Sequence, residues 1–240
     1  MHTIYSDGIA SPEEMILKGI YFGLEEIGIS DHSFTFFDTS YCMQEEKIDS
    51  YKEELERLKE KYKGKINVLK GIEQDYYSDV PADDYDYVIG SVHYLFIDGS
   101  YVPVDETPEI LRSAADRYFG GDILSLCELY YATVSDVVKK TGADIIGHFD
   151  LISKFNDGKE LFDPEDPRYI AAWNGAADKL LETGVPFEIN TGAVSRGYKE
   201  KPYPSPGQIE YIREKGGRFI LSSDAHSPEG ICFGFAEFGE

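Results

Sequence analysis

The sequence predicts an α/β fold, a barrel of mainly parallel strands, in one domain over residues 1–240. Three observations predict it. Strand-like and helix-like segments alternate along the chain, as βα units do. The length of 240 residues suits a single α/β barrel with a sizeable core. All five histidines fall at or just after the end of a predicted strand, and in a barrel those ends share one face.

Each element has a local reason. Met1 to Tyr5 reads as the end of a strand entering a Ser6-Asp7-Gly8 turn. Ser11 is placed to cap a helix, with Pro12 at its first position and Glu13 and Glu14 in its first turn. That helix runs through Met15, Ile16 and Ile20 to Gly23. Glu26 to Ser30 is a short strand delivering Asp31-His32-Ser33, and residues 34–44 are irregular. Glu45 to Tyr62 is a charged helix with Ile48, Leu55 and Leu58 on one face. Lys65 to Ile72 is a strand delivering Glu73, and residues 83–89 lead into Gly90-Ser91-Val92-His93. Thr107 to Tyr118 and Ile123 to Lys140 are expected as helices, and Asp144 to Gly147 as a strand delivering His148. A helix over 166–183, a strand over 186–190 and a helix over 205–215 follow. Arg218 to Leu221 is the last strand; it leads into Asp224-Ala225-His226, whose i and i+2 side chains share one side of an extended backbone.

Composition narrows the function. Hydrophobic residues make up 42% and aromatics 14%, which is globular. No apolar run reaches about 18 residues, so no membrane span is expected, and the early polar residues give no secretory signal. Cys42, Cys127 and Cys232 are three and widely spaced. They suggest neither a disulfide framework nor a cysteine zinc site, and a cytoplasmic location is expected. The net charge of −22 repels nucleic acid and anionic membranes. An anionic substrate then needs local positive charge, which bound cations supply.

His2, His32, His93, His148 and His226, with Asp7, Glu73 and Asp224, form a donor set large enough for more than one cation. Imidazole with carboxylate suits Zn, Mn or Fe. Neighbouring metals bridged by a carboxylate suit hydrolysis of a phosphate ester. No Gly-x-Ser-x-Gly element or phosphate-binding P-loop competes.

These residues lie in ordered motifs: His2-Thr3-Ile4-Tyr5-Ser6-Asp7-Gly8, Ile29-Ser30-Asp31-His32-Ser33, Gly71-Ile72-Glu73, Gly90-Ser91-Val92-His93, Gly147-His148-Phe149-Asp150-Leu151 and Ser223-Asp224-Ala225-His226. The order resembles the PHP (polymerase and histidinol phosphatase) superfamily. Glu188-Ile189-Asn190-Thr191, Arg196-Gly197 and Pro202-Tyr203-Pro204 resemble its histidinol phosphatases more narrowly. The resemblance implies a distorted (β/α)7 TIM-like barrel with two to three divalent ions. By motif position His2, Glu73 and Asp224 would hold a first metal. Glu73, His93 and His148 would hold a second, and Asp7, His32 and His226 a third. Arg196 would bind substrate phosphate, and Lys154 would add a second positive contact. The implied reaction is hydrolysis of L-histidinol phosphate, a small phosphomonoester, in histidine biosynthesis. A metal-bound water, Asp224 or His226 would protonate the leaving group, and acidic groups of the pocket would hold the substrate amine. Two alternatives are another small phosphate ester and a catalytically silent metal-binding domain. One departure stands out: the family's first motif is His-x-His, and His2 matches its second histidine. Either the chain is shortened there or this member lacks that ligand; another helix is expected beyond Glu240, so both ends are read as clipped.

Overall fold

The computed structural model describes residues 1–239. In chain order the elements begin with α1 (Pro12–Tyr21), β1 (Glu26–Ile29), α2 (Ile48–Tyr62), β2 (Asn67–Asp75) and β3 (Tyr87–Ser91). A hairpin follows, β4 (Tyr94–Ile97) and β5 (Ser100–Pro103). Then come α3 (Pro108–Phe119), α4 (Ile123–Val134), α5 (Val137–Thr141) and β6 (Ile145–Ile146). The chain continues through α6 (Pro167–Leu181), β7 (Phe187–Asn190), α7 (Gly192–Ser195), α8 (Pro206–Glu214), β8 (Phe219–Ser222) and α9 (Phe235–Phe238).

Caps set the helix starts. Ser11 and Glu14 close a capping box on α1, and Ser205 and Gln208 do the same on α8. Thr107 and Asp166 cap α3 and α6, and a proline takes the first turn of each. The single helix expected over 123–140 is broken at Ser135–Asp136 into α4 and α5. There Thr133 and Ser135 hydroxyls donate to the carbonyls of Leu129 and Ala132. Such side chains compete with the helical ladder.

Six strands form one parallel sheet in the order β1-β2-β3-β6-β7-β8. It curls into a half-barrel. β1 and β8 do not pair with each other. Instead, Met1–Thr3 lies between their C-terminal ends: Ser30 N–H donates to the Met1 carbonyl at 2.9 Å, and His2 N–H to the Ala225 carbonyl at 2.9 Å. Those residues stand where the sequence placed a strand end, and they bond both neighbours as a strand would. Apolar side chains pack in two groups. Ile16, Ile29, Leu55 and Leu58 join α1 and α2 to the sheet's first strands, and Leu126, Tyr130, Ala177 and Phe187 join α4 and α6 to its middle.

The β4–β5 hairpin was not expected. Its turn, Asp98-Gly99, has φ of 48° and 80°. Positive φ at both central residues defines the type I′ turn that an Asp-Gly pair favours. Among the described residues, no helix is long and apolar enough to cross a membrane.

Candidate metal centre

The parallel strands bring their C-terminal ends to one side, and every expected donor is there. Glu73 sits near the end of β2, paired with Ile89 of β3, and is 4% exposed. Its two oxygens face different partners. Oε1 lies 2.9 Å from His148 Nε2 and 3.3 Å from His93 Nε2, and accepts the Ser91 hydroxyl at 2.6 Å. Oε2 lies 3.1 Å from His2 Nε2 and 3.8 Å from His32 Nδ1. Asp224 Oδ1 is 2.9 Å from His2 Nε2, and Asp7 Oδ2 is 3.2 Å from His226 Nε2. The His2 ring stacks against both His32 and His226, with centroids 4.2 and 4.3 Å away.

Three donor sets have all their ligand atoms within 4.8 Å of one another. His2, Glu73 and Asp224 form one, as the motifs implied. Asp7, His32 and His226 form another, joined by His2. His32, Glu73 and His93 form the last. His148 stands beside that set through its contact with Glu73.

These side chains fit metal ions. Three carboxylates converge with five imidazoles, which are mostly buried, and a buried carboxylate requires compensating charge. The buried Nδ1 atoms of His2 and His148 have no hydrogen-bond partner among the described residues. Nitrogen and carboxylate oxygen at this spacing are a zinc-type or manganese-type donor set.

Charge within the cluster is tightly coupled. Burial opposes charge on His2, yet its hydrogen bonds with Asp224 and Glu73 prevail and push it up to about 10. Burial, reinforced by the nearby His2, pushes His32 down to about 3. Burial would raise Glu73, but His32, His148, His2 and His93 hold it well below the usual carboxylate range. Asp224 is likewise held low against burial, by Arg196, His2 and His226. Cations bound here displace protons from such groups.

Several supporting residues gave only a weak sequence signal. Asp31, fully buried, accepts from the Thr3 and Ser6 backbone amides at 2.7 and 3.1 Å and from their hydroxyls at 2.8 and 2.6 Å. It thereby pins the turn between His2 and Asp7. The Asp75 carboxylate accepts the His93 backbone N–H at 3.2 Å and stands 3.2 Å from His93 Nδ1, so it fixes that ring with Nε2 toward Glu73. Glu188 on β7 accepts the His148 backbone N–H and the Asn190 amide. Two glycines permit close approach. A Cβ on Gly192 would lie 2.6 Å from Asp224 Oδ2, and one on Gly8 would lie 2.4 Å from the His2 carbonyl. Asp224 itself has φ of 44°, the left-handed region that few side chains adopt.

Arg196, just after α7, donates from Nη2 to Asp224 Oδ2 at 3.1 Å and from Nη1 to the Asp224 carbonyl at 3.0 Å. Its Nη1 also lies 2.7 Å from His226 Nδ1. Lys154 lines the same cavity but is engaged: Nζ donates to the Asp105 carbonyl at 2.7 Å and to its carboxylate at 3.1 Å. The cavity, of about 440 Å³, opens over the cluster and is rimmed by Asp38, Asp105 and Glu106.

A parallel half-barrel with a Glu-centred cluster of imidazoles and carboxylates at its strand ends defines a class of metal-binding α/β proteins. Within that class, the PHP domain model matches residues 1–192, and the chain belongs to the PHP domain family. A Deinococcus radiodurans protein named "probable histidinol-phosphatase" is 30% identical, over 99% of this chain and 88% of its own. The Bacillus subtilis histidinol-phosphatase is 24% identical, over 95% and 90%. Among solved structures, a candidate histidinol phosphatase from Listeria monocytogenes has a TM-score of 0.82 at 19% identity, covering 99% of this chain and 97% of that one. A histidinol phosphate phosphatase from Lactococcus lactis, complexed with Zn, L-histidinol and phosphate, has a TM-score of 0.62 at 21% identity, covering 95% and 85%.

Proposed function

We propose that this chain, as one domain, hydrolyses L-histidinol phosphate to L-histidinol and phosphate, a phosphoric monoester hydrolysis in histidine biosynthesis. The observation that carries the reading is the placement of Glu73, whose two oxygens each face a different pair of imidazoles beside Arg196 and Asp224. The relatives named as histidinol-phosphatases, similar over nearly their whole length, support the substrate. The three free, widely spaced cysteines support a cytoplasmic setting.

In this reading His2, Asp7, His32, Glu73, His93, His148, Asp224 and His226 hold two to three divalent ions, with Glu73 shared. Ions held there would activate a water for attack on phosphorus and neutralise charge on the phosphoryl oxygens. Arg196 presents its guanidinium at the edge of the cluster, already oriented by Asp224 and His226, and binds the phosphate oxygens. Asp224, held ionised, orients Arg196 and serves as a ligand rather than an acid. His226, with Nε2 toward Asp7 and Nδ1 toward Arg196, serves as a ligand as well, so the proton for the leaving alkoxide is drawn from water in the cavity. Asp75 keeps the His93 ring from turning.

The test is phosphate release from L-histidinol phosphate by protein loaded with Zn, Mn or Fe, beside sugar phosphates and p-nitrophenyl phosphate. Preference for L-histidinol phosphate is expected. Equal weak turnover of all esters would leave a general phosphatase, and no turnover with metal bound would leave a silent metal-binding domain. Glu73→Ala and His93→Ala should each lower the rate at least about 10²-fold with loss of bound metal. Near-normal turnover by Glu73→Ala stripped of metal would overturn the mechanism.

A further inference from the structure

The β4–β5 hairpin and the 34–44 loop are joined outside the alternation of strands and helices, and their contact is aromatic. Phe37 stacks on Tyr101 at 3.8 Å with rings 9° apart, and Phe37 meets Tyr94 edge-on at 4.9 Å. Two rings of this assembly reach the cavity, Tyr41 from the loop and Tyr94 from the hairpin. Tyr41 lies 5.0 Å from the His32 ring and 5.9 Å from the His93 ring, against the candidate ligands themselves. The Tyr94 hydroxyl donates to Asp38 at 2.5 Å, which fixes its ring, and Asp38 is in turn fixed by Ser40.

The cavity is also electrically divided. Arg196 stands at the Asp224–His226 end. Lys154 lies over the rings of Tyr198 and Phe155 and is neutralised by Asp105. Tyr41 and Tyr94 carry no cation on their faces among the described residues, and Asp38, which lines the same cavity, stands against Tyr94. A π-face beside a carboxylate attracts a ring that bears positive charge.

We propose that Tyr41 and Tyr94 form the wall on which the leaving group's ring lies, selecting a phosphate ester of a cationic aromatic alcohol. This rests on the proposed histidinol phosphate reading and names the residues that would give it selectivity. The two tyrosines are specificity residues: they touch the ring, and the metal cluster and Arg196 handle the phosphate.

The experiment compares kcat/KM for L-histidinol phosphate (ring and amine), p-nitrophenyl phosphate (ring only) and O-phosphoethanolamine (amine only). It uses metal-loaded wild type, Tyr41→Leu, Tyr94→Leu and the two Phe variants. The wall predicts that each Leu variant lowers the ratio of L-histidinol phosphate to O-phosphoethanolamine about tenfold, chiefly through KM, and that Phe restores it. Leu variants that keep the ratio overturn the proposal. So do variants that lose all three activities in proportion while retaining metal. A Leu variant that fails to fold leaves the decision to its Phe partner and to the other tyrosine. If wild type itself shows no preference for L-histidinol phosphate, the functional reading fails separately. The ratio of p-nitrophenyl phosphate to O-phosphoethanolamine in the same variants then decides the wall.

Discussion

Asp31 illustrates how one side chain can hold a reactive site without joining it. Four hydrogen bonds from Thr3 and Ser6 end on its carboxylate, and all are lost in Asp31→Ala. At least two of the donors are then left in a buried place without a partner, a cost of about 2 kcal/mol or more. A lowered melting temperature together with lost metal is expected. Unchanged melting would show that the turn is held by other means. Asp75→Asn should keep the fold but lower activity about 10- to 100-fold, since the amide no longer fixes the proton and orientation of His93. Metal titration and kcat measure it. Asp150 carries a pH effect. Burial pushes its carboxyl up to about 6, against an opposing pull from Lys199, and its Oδ1 has no partner among the described residues. The folded state therefore holds this proton more tightly than the unfolded chain does. That contribution is fully present below pH of about 4 and is lost as pH rises to about 6, a change on the order of 3 kcal/mol. Asp150→Asn should remove that decline, read as the difference between wild-type and variant denaturation midpoints across this range.

At the scale of elements, what was legible in the sequence followed from local rules. The Ser11-Pro12 start announces α1, which forms, and the helix expected over 205–215 forms as α8 behind a like Ser205-Pro206 start. The strand-end histidines could be read because short apolar runs precede His32, His93, His148 and His226. The hairpin was missed although Asp98-Gly99 between apolar runs is a strong turn signal. The alternation of βα units drew attention away from an antiparallel insertion. The break between α4 and α5 depends on side chains bonding back to the helix, which periodicity does not register. The donors were legible as residue types, and two of the three sets follow the motif order; in the third His32 stands with Glu73 and His93 where the motifs implied His148. Which of His32 and His148 lies nearer a given Glu73 oxygen depends on strand curvature, and Lys154 turning to Asp105 depends on a long-range meeting. Gly192 marks another such meeting, between α7 and the segment after β8. Gly192→Ala should displace Asp224 and lower activity about tenfold or more, with a smaller change in melting temperature. Full activity would mean the Asp224 carboxylate can move aside without penalty.

For the whole molecule, the half-barrel concentrates negative charge at one end of a chain whose net charge is already −22. Bound cations relieve that repulsion, so stability and metal loading should rise together. A chelator is expected to lower the melting temperature, and added Zn or Mn to restore it. Metal at about 100 times its dissociation constant contributes about 2.7 kcal/mol per site. A melting temperature indifferent to chelation would show that the cluster is stable as a proton-bonded network.

The contact between the His2 and His226 rings, 4.3 Å apart, has a consequence for how the protein is made. Residues separated by nearly the whole sequence meet in one stacked pair. A ribosome that has released the first strands has therefore produced a cluster lacking Asp224 and His226. Completion of the centre then waits for emergence of the segment after β8. A product stopped before residue 224 should fold part of the sheet yet take up less metal, and the completed chain should load in one cooperative step.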